Sequence, residues 1–496
     1  MSDFPAGSER KRRGEGHGHG RGEEYAPLRG EPLPGDHEEG QHLLGEGAAT
    51  GTHYSYEEED GHGRESEYLD ASSKEAFGVK PQVINLGNTI VGAGLMALPK
   101  VVQTLGIVTG VISLFVVLMC TIKTLNYMLV ESTRCRSTDF AAVVRQRLGT
   151  KAAHVLDFSI VVNNVGLLII YLRIIGDVLV GNAEYKGIIT DFMSDKSLLA
   201  QPYFSVGIIT FGVLLPLCSL EKMDALAAAS ASGLALALLF SLITIILSLV
   251  EISHDGLKDV SFGPNPLYFH GGFVQDLLVI VGVFPVIFTS LVCHYNLLHV
   301  KEDLPRRFYH KMPEIVKVSG CSCVGLYCVV ASFGYILFKD DVQGDVLLNF
   351  GCDALERLVG SKMCIVIAVA VRSMYALVLS MTFPLIHFAL RQTESTILLP
   401  RPEERNKPVN RWGLTLLNLV VSFVVAMEVP NIWTPLQITG AVAAGIIGFI
   451  IPSLLHLNVP EQEKSTWGTV QAYLLLSLGV LVGVVTIYQL CTGNLS

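Results

Sequence analysis

The stretch NLGNTIVGAGLMALP, Asn85 to Pro99, sets two asparagines, three glycines and a closing proline into a run otherwise fit for lipid. Glycine and proline are poor helix formers, and a buried side-chain amide without a partner costs free energy in hydrocarbon. The segment reads in one of two ways. Either it is a membrane helix unwound at its middle, around Val91, Gly92, Ala93 and Gly94, or its small residues let neighbouring helices pack closely. An unwound turn exposes amides that suit an anion and carbonyls that suit a cation, so one break can bind a carboxylate and a small cation together.

The surrounding chain decides what kind of protein carries this segment. Half of the 496 residues are hydrophobic and only 16% are charged. The apolar residues fall in long runs without strict alternation, which predicts an all-α polytopic membrane protein rather than a barrel. Eleven spans are expected, at 80–103, 105–130, 152–180, 203–219, 225–251, 273–299, 314–338, 360–390, 410–429, 432–456 and 467–491. Counted with the span ends that flank them, connections after even-numbered spans carry 17 Lys and Arg, against 7 after odd-numbered spans. That bias places the amino terminus in the cytosol and the carboxyl terminus outside or in a lumen. Between spans 2 and 3, STDFAAVVRQRLG offers an N-cap and a short amphipathic helix.

Residues 1–79 form a separate region, ahead of a transmembrane domain over 80–492. They hold 18 Asp and Glu against 8 Lys and Arg, a net of −10, so nearly all of the chain's −9 resides there. With so few apolar residues the segment is expected to be a disordered acidic cytosolic tail, and it shows no secretory signal peptide. The ten cysteines lie mostly inside apolar runs, where a thiol behaves as a small hydrophobe. Cys352 is the main candidate in an exposed loop, and no disulfide or zinc site is expected.

Three further segments carry polar chemistry into the membrane. Span 6 contains FPVIFTSLVCHYN, in which Pro285 removes a helical hydrogen bond ahead of Thr289, Ser290, His294 and Asn296. A second break is therefore expected at Pro285. In an inverted repeat of five plus five helices, spans 1 and 6 correspond, so paired interruptions mark the substrate site. His294 serves either as a proton relay or substrate contact, or as a cap on helix-end carbonyls. Span 8 places Arg372 deep in the membrane, as a substrate or gating charge or as a clamp on carbonyls, with Ser380 and Thr382 beyond it. Ser380 and Thr382, two residues apart, point in different directions. In span 3, Arg173 and Asp177 lie four apart and are expected to pair near the outer surface, the alternative being a part in an outer gate.

At these residues the chain resembles the amino acid/auxin permease family, within it the sodium-coupled neutral amino acid transporters and their vacuolar relatives. The pattern NLxNxIVGxGxLxLP is matched by Asn85, Leu86, Asn88, Ile90, Val91, Gly92, Gly94, Leu98 and Pro99, with Met96 at the variant position. CHxN is matched by Cys293, His294 and Asn296, and an arginine, nine intervening residues and then TxP is matched by Arg372, Thr382 and Pro384. The resemblance covers roughly 76–492. It implies a LeuT-like fold with broken helices 1 and 6, and alternating access by a monomer. It also implies a substrate α-carboxylate on the Gly92–Gly94 backbone and sodium near Asn88 and Thr382, with Ser380 as a neighbour.

The expected activity is cation-coupled secondary transport of amino acids, neutral ones first, with Na+ or H+ as coupling ion and no cofactor. The short connection between spans 5 and 6 lacks cysteine, unlike that of some plasma-membrane members. The tail carries ExxxLL at Glu39, Leu43 and Leu44, and YAPL at Tyr25 to Leu28, both patterns read by cytosolic sorting adaptors. An endolysosomal or vacuolar membrane is thus favoured over the cell surface. The competing class is an amino-acid sensor that signals through the tail. No Walker loop, zinc spacing or nucleophile elbow suggests an enzyme, and nothing suggests a nucleic-acid partner.

Overall fold

The structure is a computed structural model that describes residues 79–492 except 93, 183, 194–195, 221–223, 270–271, 400 and 406. These lie in one compact unit, His62–Ser496. The acidic tail, with Glu39, Leu43 and Leu44 and the sensor reading attached to it, falls outside the described residues, as does Ala93.

Among the described residues the architecture is helical, with one isolated bridge between Gly181 and Lys186. Nine helices among the described residues are long and apolar enough to cross a membrane: Ile107–Cys135, Thr150–Leu179, Gly233–Asp255, Phe273–Glu302, Arg306–Asp341, Ser361–Leu398, Pro408–Glu428, Trp433–Leu457 and Thr466–Thr492. The other two predicted spans take shorter forms. Span 4 is Pro202–Cys218, and span 1 is two pieces, 79–90 and Gly94–Leu105. Within their helical stretches the spans satisfy their amides internally, as a bilayer demands. Span 2 shows how sidedness follows from sequence. Val108, Ile112, Phe115 and Met119, spaced four, three and four apart, are exposed toward the lipid, while Leu114, Val117, Leu118 and Leu125 are buried. The connection after span 2 forms the expected short helix, Phe140–Leu148, capped by Asp139, whose carboxylate accepts from Ala141 N at 2.9 Å.

Two expectations are corrected. Span 6 does not break at Pro285. The helix runs through it from Phe273 to Leu291 and is interrupted at Val292 and Cys293, before His294–Glu302. The helix continues across the proline, and on the turns ahead of it Gln437 Nε2 donates to Gly282 O and Gln489 Nε2 to Leu278 O, each at 3.0 Å, tying span 6 to spans 10 and 11. The expectation of no disulfide also fails. Cys352, on the short helix Cys352–Val359, is bonded to Cys364 in the first turn of span 8. Cys364 sits in an apolar run, which is why it reads as packing in the sequence.

The bridge closes a short loop against a long helix, and a loop of that size contributes about 2–3 kcal/mol to stability. Cys352→Ser/Cys364→Ser should therefore lower the unfolding midpoint of the purified protein, and reductant should lower the wild-type midpoint by the same amount. Midpoints indifferent to both treatments would refute the pairing.

Candidate functional site

The two breaks meet. A Cβ placed on Gly94 would lie 2.2 Å from Ser290 Oγ and 2.8 Å from Ser290 Cα, so the start of the outer half of span 1 touches span 6 backbone to backbone. Only glycine permits that approach. Carbonyls at the interruption find partners in tyrosines of other helices. Tyr327 of span 7 donates to Ile90 O at 2.5 Å and is 3.0 Å from Ser290 O, bridging spans 1 and 6. Tyr375 of span 8 donates to Gly92 O at 2.8 Å, and the Tyr171 hydroxyl of span 3 sits where a Gly92 side chain would be. These three residues were passed over in the sequence. Their signal was available: a tyrosine inside an apolar span carries a hydroxyl that needs a partner.

On the predicted cytosolic side of the breaks lies a cavity of about 360 Å³. Asn88 and Thr89 of span 1, Asn296 of span 6 and Thr382 of span 8 line it, so the structure brings together the two residues expected to hold a cation. Asn88 is buried, 3% exposed, and its side chain has no hydrogen-bond partner among the described residues. Thr382 Oγ1 donates to Val378 O, leaving its lone pairs available, and Asn296 Nδ2 donates to Thr89 Oγ1 at 2.7 Å. Ser380 instead donates to Ala376 O and does not line the cavity. His294 turns away from both breaks, with Nε2 2.9 Å from Thr124 Oγ1 of span 2. Thr289 Oγ1 bonds to Pro285 O and Leu436 O, and Ser290 Oγ to Val286 O, so Thr289 braces span 6 against span 10.

On the opposite side a second cavity, about 270 Å³, is lined by Lys100, Asp177, Tyr268, Asp345 and Gln437 among others. The outer half of span 1 is tied down around it. Lys100 Nζ donates to Tyr268 Oη and Val342 O, Gln103 Nε2 to Lys339 O and Asp340 O, and Asn265 Nδ2 to Gln103 O. Arg173 and Asp177 pair at 2.8 Å as expected. Arg372 is the clamp of the two readings offered for it: it donates to Leu347 O, Leu348 O and Lys186 O, with Asp191 at 3.7 Å. It thereby fixes the connections after spans 3 and 7 to span 8.

A profile described as "Transmembrane amino acid transporter protein" matches residues 77–492. The chain belongs to that family. Relatives named amino acid transporters AVT6E and AVT6B, both of Arabidopsis thaliana, are 30% and 31% identical. The first alignment covers 84% of this chain and 83% of the relative, the second 82% and 88%. A sodium-coupled neutral amino acid symporter 2 of Danio rerio is 26% identical over 84% of this chain and 82% of its own. Among solved structures, MhsT in complex with L-phenylalanine aligns with a TM-score of 0.53 at 12% identity, over 82% of this chain and 97% of that one. That likeness establishes the LeuT-like fold of paired five-helix repeats, with spans 1 and 6 broken. The chain is an integral membrane protein of an amino acid transporter family and not an enzyme.

Two predictions follow from the site of this family member. Gly94→Ala should abolish transport in correctly folded protein, whereas Gly325→Ala, where a Cβ meets nothing within 4 Å, should leave uptake unchanged. Equal uptake by the two variants would remove the close approach from the account. The second concerns Asp345, outside the spans, whose Oδ1 accepts from Leu347 N while buried Oδ2 has no partner. Burial pushes this carboxyl up to about 7, against the opposing pull of the Leu347 amide and the Arg372 and Arg173 guanidiniums. The folded chain thus holds this proton more tightly than the unfolded one. The stability it contributes is fully present below about pH 4 and is lost as pH rises through about 7. From pH 5 to 8 the wild-type midpoint should fall relative to that of Asp345→Asn; parallel profiles would contradict this.

Proposed function

We propose that the chain is a sodium-coupled secondary transporter of neutral amino acids, working by alternating access as a monomer. The observation that carries this reading is the meeting of the two breaks, held by the Tyr327 bridge, between cavities on opposite sides. A substrate carboxylate is held by amides of residues 91–94, where a half-helix begins, and its amino group by carbonyls of spans 1 and 6. Asn88 and Thr382 supply neutral oxygens for sodium. The buried, unpartnered Asn88 amide favours sodium over a proton there, and the name of the zebrafish relative is consistent with both the ion and the substrate class.

The amino terminus is cytosolic in this reading, and the membrane is endolysosomal or vacuolar. The Lys and Arg count supports the orientation, and so does the Cys352–Cys364 bridge, which lies on the side assigned to an oxidising lumen or exterior. The tail's Glu39, Leu43 and Leu44 support the compartment.

The test is uptake of a labelled amino-acid panel into proteoliposomes under separately imposed sodium and pH gradients. An inward sodium gradient should drive neutral amino acids without a pH gradient, and Asn88→Ala or Thr382→Ala should flatten the sodium titration. Uptake driven by pH alone, with both variants titrating as wild type, would overturn the assigned site.

A further inference from the structure

Beside the cavity on the predicted cytosolic side, with which it shares Phe388 and Gln392, another of about 370 Å³ opens where spans 8 and 9 end and begin. Three arginines line it: Arg391 near the end of span 8, Arg405 on the short helix Pro402–Arg405, and Arg411 in the first turn of span 9. Gln392 and Ser395 add polar groups, and among the described residues no carboxylate lines the cavity.

Arg391 is 7% exposed, and its guanidinium donates only to uncharged oxygens: Cys218 O at 2.8 Å, Thr415 Oγ1 at 3.2 Å and Leu220 O at 3.4 Å. Arg405 Nε donates to Leu399 O at 2.9 Å. Neither arginine has an acidic partner among the described residues. A buried cation without a counter-ion is costly, and gathering like charges in one cavity adds to that cost. An anion bound among them would relieve both.

The other wall says what form the anion takes. Phe388 lies beneath the Arg391 guanidinium, 5.5 Å from its ring centre, and Leu414 continues the apolar surface. Trp412, next to Arg411, is exposed, as aromatic residues at the headgroup level are. Cationic and apolar groups side by side, at the ends of two membrane helices, match an amphiphile. We propose that this cavity binds the phosphate-bearing headgroup of an anionic membrane phospholipid, with its acyl chains along Phe388 and Leu414. Inorganic phosphate would use the guanidiniums and leave that apolar wall unused.

The test places the full chain in phosphatidylcholine nanodiscs doped with a fluorescent phosphatidylinositol phosphate. Nanodiscs expose both faces and need no transport, so the result is independent of the orientation and coupling ion proposed above. Arg405→Gln/Arg411→Gln should weaken lipid binding about 30-fold while leaving amino-acid uptake intact, and Arg405→Lys/Arg411→Lys should restore most of the binding. Inorganic phosphate should displace the lipid only at far higher concentration than a short-chain analogue of the same lipid. Undiminished binding by the double glutamine variant would overturn the site. Displacement by phosphate as potent as that by the lipid analogue would overturn the lipid assignment, and so would stronger displacement by a peptide of the acidic tail.

Discussion

A backbone carbonyl released from a helix inside a bilayer must find a donor, and much of this architecture follows from meeting that demand at one place. Ile90 O and Gly92 O lie where span 1 stops being helical. Tyr327 and Tyr375 reach them from spans 7 and 8, and Gly92 O also accepts from Leu95 N at 3.1 Å. Each tyrosine hydrogen bond stabilises by about 1 kcal/mol net, and its loss costs most at Ile90 O, which has no second donor among the described residues. The break is therefore held open by helices distant in sequence, and spans 1, 6, 7 and 8 are locked to one another through it.

That arrangement explains the different treatment of the two halves of span 1. The outer half is moored by Lys100 and Gln103 to the connections after spans 5 and 7, and Arg372 secures the connections after spans 3 and 7 to span 8. The inner half ends in a cavity where Asn88 has no such tie. A transporter that alternates access has to loosen one set of contacts while a ligand replaces another. Outer hydrogen bonds between a side chain and a loop carbonyl are suited to that exchange, because each is modest and they are separable.

Much of this was legible in the sequence, for physical reasons that differ by element. The glycines at 92 and 94 allow either an interruption or close packing, and the structure shows both, with Gly94 against Ser290 at the break, while the shared cavity of Asn88 and Thr382 follows from the family pattern. The Arg173–Asp177 pair follows from helical spacing alone. Pro285 misled because a proline removes one helical hydrogen bond without having to end the helix, and here the helix runs through it from Phe273 to Leu291. Tyr171, Tyr327 and Tyr375 were hidden because an aromatic residue in a span usually packs, and only tertiary structure shows which hydroxyl meets an open carbonyl. Cys364 was hidden in the same way: nothing local separates a bridged cysteine from a packed one. His294 looked chemical but points toward Thr124, a direction that sequence does not encode.

The central claim is that the break in span 1 exists to hold a carboxylate. Equilibrium binding of a labelled neutral amino acid to the purified full chain, competed by the same amino acid and by its decarboxylated amine, tests it most directly. The account predicts that the amino acid competes fully and that the amine, keeping the side chain and amino group, does not compete at comparable concentrations. An amine that competes as well as its parent would contradict it.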